Sequence, residues 1–417
     1  MKPFSKKKLL LTSLVANVFE WYDFSIYAYV AGVLGTLFFD ENNPKLALIK
    51  SFALFSISYL IRPLGSFVFG YLADHYGRRM VLKTSFFLMA VPTFMIGLLP
   101  TFQSIGWLSI MLLFALRLVQ SFATGGELPV VTCYVFEMAP LEKKNFYCSL
   151  VAASAILGVF LGSLVVTLLY LFLSQEAILA WGWRIPFLIG FIIAGFIFVI
   201  RKEIPETDVF QAAQEPGSYL DRLSQHKYPI LQVFLLISFM SVSFYTLFVW
   251  MPSYLSVYLN IKPSMAHLTS SIALLSLVFF ILVVGHVSHS DNRKKWITCS
   301  IFMMIVLSYP LFGLLRIKYI AILFIVQVIF ALLLSFIQGV VYATIGSLFH
   351  PQIRSSGIGI GYTLAQAIFG GLTPTLSSWL IYRTGYVESP IFLVITMGLI
   401  AVPAVASLYR HPEIFST

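Results

Sequence analysis

The sequence predicts an all-α polytopic membrane protein with twelve transmembrane helices in two pseudo-symmetric six-helix bundles, and three observations carry that expectation. The first is composition: of 417 residues, 59% are hydrophobic and 11% charged, with a mean hydropathy of +0.90, which excludes an ordinary soluble globule. The second is segmentation, since apolar runs near the roughly 20 residues that a bilayer-crossing helix needs recur with short polar breaks from Leu11 to Tyr409. Helices are the expected form, because lipid offers no partner to an unpaired backbone N–H or C=O. The third is the placement of basic residues. The N-terminus (Lys2, Lys6, Lys7, Lys8) and every second gap are rich in Lys and Arg, and the intervening gaps are poor in them. By the positive-inside rule both termini are cytoplasmic. The net charge of +10 is thereby accounted for, and no nucleic-acid partner is expected.

The elements follow in order. Span 11–38 comes after the basic start; it carries Glu20 and Asp23 and has no small-residue cleavage pattern, so it reads as a retained helix rather than a signal peptide. Spans 51–73 and 81–100 flank the turn Gly70-x-x-x-Asp74-x-x-Gly77-Arg78-Arg79. Span 106–136 stops before Pro140, Lys143 and Lys144, and span 146–173 contains Gly158-x-x-x-Gly162, the mark of a close helix contact. Span 182–200 completes a first bundle over residues 1–200. The longest break, Arg201 to Lys227, is charged and holds Pro205, Pro216 and Gly217, which makes 201–228 a cytoplasmic linker. A second bundle over 229–417 contains spans 229–259, 267–289, 296–315, 319–347, 357–381 and 388–409.

Internal repetition supports the division. Gly285-x-x-x-His289-x-x-Asn292-Arg293-Lys294 follows the eighth span as the Gly70 motif follows the second, and Pro351 with Arg354 mirrors Pro140 with its lysines at nearly the same offset. Duplicated halves around a central site are a transport architecture. Cys133, Cys148 and Cys299 lack metal-ligand spacing, so neither a disulfide scaffold nor a metal site is expected.

In the Gly70–Arg79 turn, glycines permit a tight approach of two helices, Asp74 suits a helix N-terminus, and Arg78 and Arg79 can meet an acid across the loop. The turn resembles the signature of the major facilitator superfamily, in which the Asp and Arg latch the halves on the cytoplasmic side. The resemblance implies a latch of Gly70, Asp74, Gly77, Arg78 and Arg79, with Glu137 as the candidate partner of Arg78; Arg354, the second-half counterpart of Lys143 and Lys144, is counted with it. The segments Glu20-Trp21-Tyr22-Asp23-Phe24, Arg62-Pro63-Leu64-Gly65, Gly125-Gly126-Glu127, Trp183-Arg184-Ile185-Pro186-Phe187, Pro205-Glu206-Thr207 and Gly370-Gly371-Leu372-Thr373-Pro374 are similar to the metabolite:proton symporter family. Met251-Pro252-Ser253-Tyr254-Leu255-Ser256 and Leu372-Thr373-Pro374-Thr375-Leu376 are most similar to its proline/glycine-betaine branch, other branches carrying organic acids. His289 and Asn292 depart from the Asp and Gly usual in the second-half loop, which implies a weakened second latch, and Leu128-Pro129 departs from the usual aromatic and small residue. The sequence ends at Thr417, so the coiled coil of some osmosensing members is not expected.

An ionisable side chain at membrane depth costs several kcal/mol unless paired or hydrated, which makes each a functional candidate. At 100° per residue, Asn17, Glu20, Phe24 and Tyr27 fall within about 80° of arc, with Asp23 just beyond, and Arg117, Gln120, Thr124 and Glu127 share a similar arc. The first and fourth spans line the pathway in the superfamily, which implies that Arg117 sits among Glu20, Asp23 and Glu127 and that one of these acids carries a proton. Arg184 is expected to be structural, and Arg62 stands between a structural and a binding role. The second half offers Tyr245, Trp250, Gln338, Tyr342, Tyr362 and Gln366, with Gln338/Tyr342 and Tyr362/Gln366 as i,i+4 pairs on single helix faces. Rings and amides opposite a charged surface suit a zwitterion whose quaternary ammonium prefers ring faces. Asn17, Tyr27, Arg62 and Gln120 are the binding candidates of the first half.

The expected activity is proton-driven symport of a small zwitterion such as proline or glycine betaine, by a monomer in the bacterial inner membrane that needs no cofactor beyond the proton gradient. One proton carried with a neutral zwitterion moves one charge, worth about 2.3 kcal/mol per 100 mV, or a gradient of about 40-fold. Neither a phosphate-binding Gly-x-x-x-x-Gly-Lys loop nor a His-Glu-x-x-His motif occurs, which argues against ATP drive and against an intramembrane enzyme. Uptake of an organic acid and a transport-dead sensor on the same scaffold are the alternatives.

Overall fold

The computed structural model describes residues 6–39, 43–76, 78–125, 127–201, 226–350 and 353–408, with their side chains except those at 6–9, 70–71, 73–83, 127 and 197–201. Every regular element among them is helical. The first span is Lys6–Tyr29, continued past Val30 by Ala31–Phe38. The second, Pro44–Tyr59 and Arg62–Tyr76, starts ahead of the expected residue 51. Asn43 accepts a bond from the Lys45 amide and Pro44 fills the first turn, where no amide hydrogen is needed. The third is Arg78–Leu98, the fourth Trp107–Ala123 and Glu127–Met138, the fifth Lys144–Phe172 and the sixth Ile185–Arg201. Most of the expected linker lies outside the described residues, and helix resumes at Lys227.

The seventh span runs from Lys227–Phe244 through two π-helical turns, Tyr245–Val249 and Tyr254–Tyr258, with Met251–Ser253 between them. Pro263–Val287, Arg293–Leu314, and Ile320–Gln338 with Val341–Ser347 form the eighth, ninth and tenth. The eleventh joins Arg354–Ala365 and Gly371–Thr384 through a π-helical turn at Gln366–Gly370, and Ile391–Ser407 is the twelfth. The fourth and tenth spans break at corresponding places, at Thr124–Gly125 and Gly339–Val340, so the repeat read in the turns extends into the helices. Seven described helices are long and apolar enough to cross a membrane, and three more are shorter apolar helices. The first and eleventh spans are diluted by polar and small side chains.

Packing explains where small residues stand. The first span lies against the fifth, and a Cβ on Gly158 or Gly162 would run into the Val18 carbonyl or the Ser25 hydroxyl. The expected close contact of that motif is thus with the first span. The third span packs on the fourth and sixth, the seventh on the eleventh and twelfth, and the ninth on the tenth and twelfth. Between bundles, the fifth meets the eighth and the second meets the eleventh.

Contacts between the halves close both ends. At the end carrying the termini, Arg354 Nη1 pairs with Glu137 Oε1 at 2.8 Å, and Arg293 Nε donates to Asn145 Oδ1 at 2.6 Å. Asn145 Nδ2 donates to Ser288 Oγ at 3.1 Å. At the opposite end, the Ser163 and Thr167 hydroxyls meet Ser271 Oγ at 2.8 and 2.9 Å, Tyr170 stacks on His267 at 4.9 Å, and Tyr29 Oη donates to the Phe248 carbonyl at 3.4 Å. Of the expected latch, Gly77 and the side chains at Gly70, Asp74, Arg78 and Arg79 lie outside the described residues. Glu137 is engaged by Arg354. His289 and Asn292 cap each other reciprocally at the turn Ser290–Asn292, with the His289 amide 2.8 Å from Asn292 Oδ1.

Candidate functional site

Where the first, fifth, seventh, tenth and eleventh spans converge, a cavity of about 20 Å³ remains. Trp21, Phe244, Tyr245 and Tyr342 supply rings; Gln338, Gln366 and Ser241 supply polar atoms; Ala152, Ala155, Ile156 and Met240 complete the wall. None of these is charged. The volume exceeds the roughly 10–15 Å³ that one water requires and is far below that of an organic solute, so the bundles must part for a solute to enter. A larger groove of about 530 Å³, lined by Lys294, Lys295, Thr298, Cys299 and Phe302, opens on the outside of the ninth span and shares none of these residues.

Two of the polar residues open π-helical turns, Tyr245 in the seventh span and Gln366 in the eleventh. Such turns add a residue to the helical ladder and re-aim the side chains beside them, and they recur at functional sites. Gln366 Nε2 donates to Tyr362 Oη at 3.1 Å. Tyr245 Oη lies 2.8 Å from Tyr59 Oη, a bridge between the halves at the cavity wall. The Arg62 guanidinium lies 3.8 Å from the centre of the Tyr59 ring and 5.0 Å from that of Phe24, so its charge stands behind the aromatic wall. Arg62 is held there because Gly65, one turn on, meets the Phe122 backbone with no room for a side chain.

A second polar cluster lies within the first bundle. Asp23 is 2% exposed. Its Oδ1 accepts from Thr93 Oγ1 at 2.5 Å and its Oδ2 from Gln120 Nε2 at 3.2 Å. Gln120 Nε2 also reaches Thr93 Oγ1 at 2.8 Å, and Gln120 Oε1 accepts from Arg117 Nη1 at 3.1 Å. Arg117 is fully buried, with Tyr27 and Phe55 ring centres 4.5 and 5.4 Å from its guanidinium. Arg117 therefore meets Asp23 through Gln120, where the resemblance implied that it sits directly among the acids. The Glu127 side chain lies outside the described residues.

Several binding candidates are engaged elsewhere. Asn17 Nδ2 ties the first span to the fifth through the Val151 carbonyl and Ser154 Oγ at 3.1 and 2.8 Å. Tyr27 Oη donates to the Ser51 carbonyl at 3.1 Å, and Trp250 Nε1 donates to Ser378 Oγ at 2.8 Å beneath the Tyr254 ring. Gln120 belongs to the Asp23 cluster, and Tyr362 supports Gln366. Arg184 donates to the Leu99 carbonyl at 3.0 Å and stacks on Trp183, a structural position. Tyr245, Gln338, Tyr342 and Gln366 do face the cavity. Sequence reasoning passed over Trp21, Ser241, Phe244 and Thr93. Ser241 stands one helical turn before Tyr245, and Trp21 borders the polar stripe of its span, so both were within reach of the spacing.

Interlocked helical bundles around a buried polar cavity are the architecture of a membrane transporter. The family pattern described as Sugar (and other) transporter matches residues 9–218, and that of the Major Facilitator Superfamily matches residues 233–415. The chain is 30% identical over 410 residues to a putative proline/betaine transporter of Staphylococcus haemolyticus (strain JCSC1435), covering 97% of this chain and 87% of that one. It is 31% identical over 409 residues to the glycine betaine/proline/ectoine/pipecolic acid transporter OusA of Dickeya dadantii (strain 3937), covering 94% and 81%. Among solved structures, a partially occluded inward-open conformation of the xylose transporter XylE from E. coli superposes with a TM-score of 0.74 at 15% identity, covering 97% of each chain, a likeness of fold. The chain belongs to the major facilitator superfamily.

Proposed function

We propose that the chain is a proton-coupled symporter that imports a small zwitterionic solute of the proline or glycine betaine kind by alternating access. The observation that carries this reading is the neutral cavity wall of rings and amides, together with a separate buried cluster of Asp23, Thr93, Gln120 and Arg117 within the first bundle. A solute without net charge needs no counter-ion at the wall, whereas a di- or tricarboxylate would need one. Arg62 and Arg117 stack on the Tyr59 and Tyr27 rings and neither lines the cavity, which weighs against the organic-acid reading. The relatives' names support the solute class. The bacterial relatives support an inner-membrane location and the alternating basic gaps support cytoplasmic termini, so the Arg354–Glu137 end is read as the cytoplasmic gate. A single chain encloses the cavity, consistent with a working monomer.

Asp23 is assigned as the proton carrier. A carboxyl held by two neutral donors gains or loses its proton when those donors or a nearby guanidinium move, as they must when the bundles rock. Purified protein in liposomes is expected to accumulate labelled proline or glycine betaine under an inward proton gradient and to stop on addition of a protonophore. Asp23→Asn should lower gradient-driven accumulation at least tenfold while solute counterflow persists. Unimpaired accumulation by that variant would remove Asp23 from the role, and absence of uptake of either solute by the wild type would end the reading.

A further inference from the structure

Three side chains that line the cavity, on three spans, carry polar atoms with no hydrogen-bond partner among the described residues. Trp21 Nε1 can only donate, Gln366 Oε1 can only accept, and Ser241 Oγ can do either. Each side chain is more than nine-tenths buried, at 7%, 3% and 1% exposure. Buried polar atoms normally find partners, so three without one on a single wall mark where a ligand is bonded. Gln366 is fixed in this orientation because its Nε2 is committed to Tyr362. Gly370 leaves room for the oxygen: a Cβ there would overlap Gln366 Oε1 and crowd the Tyr245 ring edge.

Resting on the zwitterion reading above, we propose that this site prefers solutes whose ammonium still carries an N–H. In this arrangement Gln366 Oε1 accepts from the ammonium, and Trp21 Nε1 and Ser241 Oγ donate to the carboxylate. Rings alone hold any cationic nitrogen, methylated or not. The amide oxygen discriminates. A fully methylated ammonium strips it of water and returns no donor, and a lost bond to a charged group costs about ten- to a hundredfold in affinity. The class selected is the cyclic or primary amino acid zwitterion over its betaine.

The test is competition by proline, N-methylproline and N,N-dimethylproline for labelled proline uptake in liposomes holding the full chain. Wild type is expected to bind N,N-dimethylproline at least tenfold more weakly than proline. Gln366→Leu should bring that ratio to within about threefold, mainly by weakening proline. Trp21→Phe should weaken all three solutes by a similar factor, because all share the carboxylate. Equal affinity of the wild type for proline and N,N-dimethylproline, or a ratio unchanged in Gln366→Leu, overturns the inference while leaving zwitterion transport standing. No competition by any of the three overturns both. Should the Leu variant fail to insert, the wild-type ratio decides alone.

Discussion

Asp23 owes its position to two neutral donors on neighbouring spans, and Thr93 is the shorter contact. Thr93→Val removes that hydroxyl at nearly constant volume and is expected to lower gradient-driven uptake several-fold with normal membrane insertion. Thr93→Ser should restore it, and equal uptake by Val and Ser variants would show that the hydroxyl is dispensable. Tyr362 acts one step from the cavity, by receiving the Gln366 amide. Tyr362→Phe should leave the amide free to turn, so the preference of proline over N,N-dimethylproline should narrow while total uptake stays within about threefold; an unchanged preference in the competition assay would exclude this positioning role. The spacing of Tyr362 and Gln366 made them a pair on one helix face. It could not assign one to the wall and the other to its support, because that depends on the π-helical turn that follows.

At the level of the element, the turn between the eighth and ninth spans departs from the family pattern at His289 and Asn292. His289 and Asn292 cap the helix start and thereby leave Arg293 to bridge the halves through Asn145. An amide there accepts the guanidinium bond without adding an opposite charge. Asn145→Asp adds it, strengthening closure by about 1 kcal/mol, a factor of about 5 in the open fraction. Maximal uptake rate is expected to fall about fivefold with half-saturation within about twofold, measured as initial rates in liposomes; an unchanged or faster rate would show that this contact does not limit opening. The sequence led to a weakened second latch from His289 and Asn292, and the structure has these two capping each other while Arg293 joins Asn145. The bounds of the second span were harder to read, since its apolar run begins beyond the Asn43 cap that starts the helix.

For the whole molecule, composition and repetition sufficed for the architecture, because lipid admits few ways of satisfying a backbone and duplication leaves matching turns and breaks. The cavity wall was only partly legible. Among 39 phenylalanines, 21 tyrosines and 7 tryptophans, lipid, packing and solute can make the same demand on a ring. Asn17 and Trp250 illustrate the difficulty: each has the chemistry of a binding residue and spends its N–H on a neighbouring span. Scarce polar groups in apolar runs were the better guide, and Asp23, Gln120 and Gln366 all belong to that set.

Closure at both ends around so small a cavity also bears on the cell's energy balance. A chamber with space for hardly more than one water holds no continuous file of them. The protein should then behave as an insulator: liposomes containing it should dissipate an imposed pH difference no faster than plain lipid until solute is added, as followed with a trapped pH-sensitive dye. Leakage without solute would mean that the two gates do not hold together. A carrier this tight could remain in the membrane of a starved cell without short-circuiting it.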